Sequence, residues 1–237
     1  MKTLSVIIPC YNEQATITSI LDRMQQVQIP NWNLETIVVD DGSTDNTRNI
    51  LKGYESKVKV IYNPKNQGKG YTVRTGLEAA RGDYMMIQDA DLEYDPMEIP
   101  NLVEALEKTG DDVIYGSRNI HRVKRSDSYV TRLGTWITTK EFNILYGARL
   151  TDLWTCYKIF PREAAPLYVA GGFESDIIFS ARVAKNGFTA SDVPISYNPR
   201  TSKEGKKIRY RDGVNGLWLL LKERFSRTNV MPAIPEK

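Results

Sequence analysis

The sequence predicts an α/β fold with a mostly parallel central sheet, Rossmann-like, and helices on both of its faces. Three observations predict it. Short, apolar, β-branched runs recur and read as strands buried on both sides. Between them, apolar residues spaced three and four apart read as amphipathic helices of about 10–15 residues. Polar turns rich in Asp, Asn and Gly follow the strands. Strands alternating with helices give parallel pairs joined by right-handed crossovers.

In chain order, Leu4–Pro9 is a continuous apolar strand ended by proline. Ile17, Ile20, Leu21, Met24 and Val27 share one face, so residues 13–27 are predicted helical. Thr36–Val39 is the second strand, and the polar turn Asp40–Asp45 leads into a helix reaching Tyr54. Val58–Tyr62 is the third strand, followed by the loop Asn63–Gly68 and a helix over Tyr71–Ala80. Tyr84–Gln88 is the fourth and runs into Asp89-Ala90-Asp91. A helix over Met97–Lys108 and a strand over Asp112–Tyr115 complete the first half. The second half is less regular. It reads as a polar loop Arg118–Tyr129, a helix Tyr129–Tyr146 and a strand Thr155–Phe160. A helix Glu174–Lys185, a strand Ala190–Ser196, a basic loop Tyr197–Arg211 and a helix Gly213–Phe225 follow. No repeat or linker interrupts the 237 residues, so one domain is expected, with a frayed tail at 226–237.

Composition narrows the function. Apolar residues make up 41% and charged residues 26%, as in soluble globular proteins. The net charge of +3 argues against a nucleic-acid partner. Two cysteines, Cys10 and Cys156, form neither a disulfide framework nor a zinc site, and read as small packed residues. The single histidine, His121, lies in a polar loop and reads as solvated. The apolar run at the N-terminus is too short for a signal peptide, and Leu217–Leu221 is far too short to span a bilayer. A cytoplasmic location is therefore expected.

In an open parallel sheet, ligands bind at the carboxyl ends of the strands. Three polar segments converge there: Pro9–Glu13, Asp40-Asp41, and Asp89-Ala90-Asp91-Leu92-Glu93. Helix capping can account for Asp45 and Asn46. It does not account for two carboxylates flanking one small residue, which repel unless a cation or a proton is shared. Hard carboxylate oxygens without His or Cys select Mg²⁺ or Mn²⁺, ions that serve phosphate chemistry. A nucleotide-using enzyme is therefore expected. Gly68-Lys69-Gly70 is neither a dinucleotide fingerprint, since Val73 stands at the third glycine position, nor a Walker loop, since Asn63 and Gly70 break it.

The runs SVIIPCYNE, VVDDGSTDNT and NQGKGYTVRTGLEAARGDYMMIQDADLEYDP, in this order and spacing, resemble family 2 glycosyltransferases of the GT-A fold. Within that family the chain is similar to dolichyl-phosphate mannose and glucose synthases and their bacterial polyprenyl-phosphate relatives. TDLWTCYKIF, FESD and VPISYNPRTSKEGKKI extend the likeness over residues 4–225. The resemblance implies that residues 1–117 bind nucleotide and metal, and that 118–225 bind the acceptor. It puts Pro9, Tyr11 and Glu13 in the nucleotide pocket, with Val39 and Asp41 at the base and ribose. It makes Asp91 a metal ligand with Glu93 as the second, Asp89 a ribose or sugar contact, and Ala90 part of the same motif. It places Arg118 near the sugar and acceptor phosphates, with Asp89, Asp91 and Arg118 as the catalytic set. Arg200, Lys206 and Lys207 match a basic loop that closes on the diphosphate. Trp154 stands where relatives often carry an acidic residue.

The implied reaction is inverting transfer from a GDP- or UDP-sugar to a polyprenyl phosphate, with Mg²⁺ or Mn²⁺ and basic side chains stabilising the leaving diphosphate. A phosphate acceptor needs no general base, whereas a soluble sugar or protein hydroxyl does. Glu174 and Asp176 are candidates for that base, or simply carboxylates at a helix N-terminus. Non-catalytic nucleotide-sugar binding is the alternative outside enzymes. Two basic runs favour anion handling. Arg118, Arg122, Lys124, Arg125 and Arg132 face one acid, Asp127, and Arg200, Lys203, Lys206, Lys207, Arg209 and Arg211 face Glu204. Arg132 therefore joins the substrate-binding candidates. Val214, Leu217, Trp218, Leu221 and Phe225 give the last helix an apolar face, suited to a peripheral membrane contact, core packing or a homo-oligomer. Residues 1–117 carry 11 basic and 18 acidic side chains, a net of −7, and residues 118–237 carry 21 and 11, a net of +10.

Overall fold

A computed structural model of the chain describes residues 1–120, 129–172, 174–199 and 210–226, with backbone alone at 129–131 and 210–215. The strands are β1 (Lys2–Cys10), β2 (Trp32–Asp40), β3 (Lys59–Tyr62), β4 (Tyr84–Ile87), β5 (Val113–Ser117), β6 (Lys158–Pro161) and β7 (Ala190–Pro194). The helices are α1 (Ile17–Met24), α2 (Thr47–Lys52), α3 (Lys69–Ala79), α4 (Ile99–Thr109), α5 (Tyr129–Tyr146), α6 (Ser175–Lys185) and α7 (Tyr210–Phe225). All the strands join one sheet in the order β3-β2-β1-β4-β6-β5-β7.

Apolar residues that alternate along the strands feed two layers. Leu4, Val6 and Ile8 of β1 pack with Ile20 and Leu21 of α1 and Leu102 of α4. Ile7 of β1 and Val39 of β2 pack on the opposite side with Val73 of α3, Phe142 of α5, Phe179 of α6 and Leu220 of α7. Both faces of the sheet are covered, and the strands are therefore apolar on both. Gly76 lets α3 sit close to the sheet, because a Cβ there would lie 2.4 Å from Ile7 Cγ2.

Several elements begin away from the expected residue, β2 and α1 for reasons the hydrogen bonding shows. β2 begins at Trp32 rather than Thr36, because it pairs residue for residue with β1 from Lys2↔Trp32 to Cys10↔Asp40. Pairing extends the strand through Asn33 and Glu35, which local apolarity does not mark. α1 starts at Ile17 rather than at residue 13, because Asn12–Thr16 form a turn held by the β2–α2 loop. The sheet is mostly parallel, as expected, and its exception is β6, which runs antiparallel to both β4 and β5. The cause lies just before it. The backbone N–H of Arg118 donates to Asp152 at 3.1 Å, and Ser117 Oγ lies 2.6 Å from Thr151 Oγ1. The chain is thus back at the carboxyl end of β5 when β6 begins, and it can only run downward.

Candidate active site

β1, β2 and β4 end side by side, and their polar extensions are locked together by backbone groups. Asn12 has φ 56°, and its side-chain oxygen accepts the Thr44 N–H at 2.8 Å. Asn is one of the few residues besides glycine that visit that left-handed backbone, and here the β2–α2 loop holds its amide. The Asn12 N–H donates to Ser43 Oγ at 2.9 Å and the Glu13 N–H to Thr47 Oγ1 at 3.0 Å. Asp41 accepts from Gly68 N at 2.8 Å, Asn63 Nδ2 at 3.0 Å and Gln67 N at 3.1 Å, which fixes the 63–68 loop. Gly42, at φ +75°, passes so near that loop that a Cβ would lie 2.6 Å from the Lys65 carbonyl carbon.

These segments surround a cavity of about 410 Å³ at the carboxyl edge of the sheet. Pro9, Tyr11, Glu13, Asp41, Asp89, Ala90, Asp91, Glu93 and Arg118 line it. Val39 does not. It is fully buried in the layer under α3. Arg132 is exposed on α5 and is absent from the lining. Asp176 is buried beside the cavity, and Glu174 turns back to accept the Gly172 N–H at 3.0 Å. Arg200, Lys206 and Lys207 lie outside the described residues, as do His121, Arg122, Lys124, Arg125, Asp127, Lys203, Glu204, Arg209 and the tail from 227. The side chains of Arg211 and Val214 are likewise outside them.

Asp89 and Arg118 each meet a charged partner, and Asp91 and Glu93 accept hydrogen bonds. Asp89 meets Lys69 Nζ at 2.7 Å, and the same ammonium donates to Cys156 Sγ at 3.2 Å. Burial works against the Lys69 charge, and Asp89 overcomes it, so the ammonium is held well above its ordinary pKa. Burial pushes the Cys156 thiol well up, with Asp176 and Asp89 adding to it. Asp91 accepts the Glu93 N–H at 3.1 Å across Leu92, whose φ of 61° turns the chain there. Glu93 accepts from the Tyr197 hydroxyl at 2.8 Å. Arg118 is fixed by two parallel bonds to Asp152, at 2.7 and 2.9 Å, while burial opposes its charge and Asp152 sustains it.

Trp154, singled out in the sequence for the acidic residue it replaces, forms part of the wall, and several other residues escaped the sequence reading: Lys69, Cys156 and Tyr197 as wall, and Asp152 as the anchor of Arg118. Lys69 sits in Gly68-Lys69-Gly70, which fails as a phosphate loop, yet a lysine beside an acidic strand end was a usable signal. Asp152 and Tyr197 carry no local signal, because their partners are 34 and 104 residues away.

Among the described residues, no three His, Cys, Asp or Glu side chains are grouped to hold a metal ion. The donor set still fits one. Asp91 and Glu93 offer hard oxygens on one wall, and Mg²⁺ and Mn²⁺ commonly take one or two carboxylates and complete their shell with phosphate oxygens and water.

The glycosyl transferase family 2 model matches residues 5–166. Dolichol-phosphate mannosyltransferase of Pyrococcus furiosus is 40% identical over 119 residues, covering 49% of this chain and 33% of that protein. Undecaprenyl-phosphate 4-deoxy-4-formamido-L-arabinose transferase of Shewanella sediminis is 28% identical over 211 residues, 86% of this chain and 61% of that protein. The chain thus spans between a third and about three-fifths of the length of these two relatives. Among solved structures, glucosyl-3-phosphoglycerate synthase of Mycobacterium tuberculosis, in complex with Mn²⁺, UDP and phosphoglyceric acid, superposes with a TM-score of 0.71 at 22% identity. That match covers 94% of this chain and 79% of the other, and it shows that the two share the GT-A fold. The matched stretch runs from β1 through the antiparallel β6 and carries every carboxylate that lines the cavity, and the chain accordingly belongs to glycosyl transferase family 2.

Proposed function

We propose that the chain is a metal-dependent, inverting glycosyltransferase. It moves a sugar from a nucleoside diphosphate sugar, carried on UDP or GDP, to a polyprenyl phosphate at the cytoplasmic face of a membrane. The observation that carries this reading is the meeting of Asp89, Asp91, Glu93 and Arg118 around one cavity at the carboxyl edge of the sheet. Relatives named for dolichol and undecaprenyl phosphate favour that acceptor.

The roles follow from charge. Pro9, Tyr11 and Glu13 bound the nucleoside side, and Asp41 shapes it by holding the 63–68 loop. Asp91 and Glu93 hold the divalent ion, which when bound offsets the charge that collects on the leaving diphosphate. Lys69 holds the Asp89 carboxylate in place through their ion pair. Arg118, held rigid by Asp152, presents its cationic side chain to phosphate oxygens without reorganising. A phosphate monoester with a second pKa of about 6 arrives largely ionised, so no side chain has to remove its proton. Arg200, Lys206 and Lys207 supply further cations to the diphosphate.

Exposed apolar stripes on two helices support a lipid acceptor. α5 exposes Leu133, Trp136, Ile137 and Ile144 along one stripe with Lys140, and α7 exposes Trp218, Leu221 and Phe225 beside Lys222. Aromatic and aliphatic side chains next to lysines suit a headgroup boundary. Among the described residues, no helix is long and apolar enough to cross a membrane.

The test is transfer of radiolabel from UDP- and GDP-sugars to a polyprenyl phosphate with Mn²⁺ or Mg²⁺. The expected product partitions into organic solvent. Asp91→Asn lowers the rate by at least about a hundredfold. Full activity in EDTA refutes the metal, and label that stays in water with a sugar or protein acceptor assigns the soluble-acceptor reaction instead.

A further inference from the structure

Tyr197 lies three residues beyond β7 and ties together two strand ends that its own strand does not carry. Its hydroxyl donates to Glu93 Oε2 at 2.8 Å, beyond β4. Its ring lies 5.0 Å from the guanidinium carbon of Arg118, beyond β5. The ring is itself held by Tyr94, at 5.3 Å between centroids, and is 7% exposed. The next backbone N–H, that of Asn198, donates to the Glu93 carbonyl at 3.0 Å. One buried side chain therefore touches the carboxylate side and the arginine side of the cavity at once. It also stands at the start of the basic segment that runs to Arg211.

We infer that Tyr197 is a positioning residue that couples cation binding at Glu93 to phosphate binding at Arg118. A hydroxyl donated to a carboxylate fixes which way the remaining oxygen points, and such outer-shell partners set metal affinity. The ring acts through a separate interaction, the attraction of the guanidinium to its π face. The two functions of the residue can be removed one at a time. Tyr197→Phe deletes the hydroxyl and keeps the ring, and Tyr197→Leu deletes both. The inference rests on the proposed ion at Asp91 and Glu93.

Mn²⁺ binding is titrated by electron paramagnetic resonance on the full chain, with UDP and then GDP present. Thermal melts without metal are run alongside. Tyr197→Phe is expected to weaken Mn²⁺ about tenfold or more while its metal-free melt stays at the wild-type value. Tyr197→Leu is expected to show the same loss and, in transfer assays, a higher KM for decaprenyl phosphate than Tyr197→Phe. Mn²⁺ binding by Tyr197→Phe within about twofold of wild type overturns the coupling while the metal site stands. An equal acceptor KM in the two variants overturns the Arg118 half. Absence of Mn²⁺ binding by the wild type overturns both the metal reading and this inference. If Tyr197→Leu does not fold, the Tyr197→Phe titration decides.

Discussion

At the residue scale, the cavity depends on charges that cancel in place. Arg118 and Asp152 have side chains only 6% and 1% exposed, so neither can fall back on water. Asp152→Ala leaves a buried, unpaired guanidinium and is expected to cost about 3–5 kcal/mol in urea denaturation, whereas Arg118→Met combined with Asp152→Leu costs less. A loss under about 1 kcal/mol for Asp152→Ala means that water already reaches the arginine. Cys156 gives a chemical readout of the same environment. Its thiol is raised by burial, then by Asp176 and Asp89, and Lys69 does not offset this. The thiolate is the reactive form. Iodoacetamide at pH 8 should therefore leave Cys156 unmodified in the native chain and label it once the chain is unfolded, as read by mass spectrometry.

At the element scale, close approaches decide which substitutions the fold accepts. α3 would gain helix propensity from Gly76→Ala, by about 1 kcal/mol. Yet the new methyl would lie 2.4 Å from Ile7 Cγ2 and 3.2 Å from Val39 Cγ2, deep between helix and sheet. Overpacking costs about 1–3 kcal/mol, so the net effect is expected to be a lower urea midpoint. An unchanged or higher midpoint would show that α3 can slide outward. The antiparallel β6 is the other decision at this scale. The segment leading into it, Thr151–Cys156, lies along the carboxyl edge and delivers Trp154 and Cys156 to the cavity and Asp152 to Arg118. Trp154 in turn donates to Thr138 of α5 at 2.6 Å and lies 3.0 Å from where a Cβ on Gly216 of α7 would be. The cavity wall and the two helices with exposed apolar stripes therefore share one side chain.

At the scale of the whole molecule, the net charge of +3 hides two opposed halves, −7 before Arg118 and +10 from it onward. The basic half carries the exposed aromatics of α5 and α7. Co-sedimentation with phosphatidylglycerol-containing vesicles is expected to exceed that with neutral vesicles. It should fall as salt rises from about 0.05 to 0.5 M, because screening removes the charge contribution. Trp136→Gln with Trp218→Gln should reduce it further, and binding indifferent to lipid charge would refute the docking. Stability is limited on the alkaline side. Burial, followed by Glu55 for Tyr62 and Glu223 for Tyr146, pushes both phenols up to about 12. Unfolded tyrosine ionises near 10, so above that pH the unfolded chain sheds protons first and stability falls. Lys69 slopes the same way, since its raised pKa contributes fully below about 10.4 and is lost as pH rises through the folded value. The urea midpoint should therefore drop between about pH 10 and 12. A midpoint that rises over that interval contradicts these pairings.

The sequence by itself determined the strands, the helix between Tyr129 and Tyr146, and the acidic lining of the cavity. Each of these is written in neighbouring residues: apolar runs, helical spacing, and carboxylates directly after a strand. Only the tertiary structure decided the direction of β6, the length of β2 and the true start of α1. These depend on pairing with distant strands and loops, which no local pattern records. It alone placed Val39 in the core rather than at the cavity, because a strand residue's face is set by register, not by identity. It also supplied Lys69, Asp152 and Tyr197, whose roles exist only through partners brought from elsewhere in the chain.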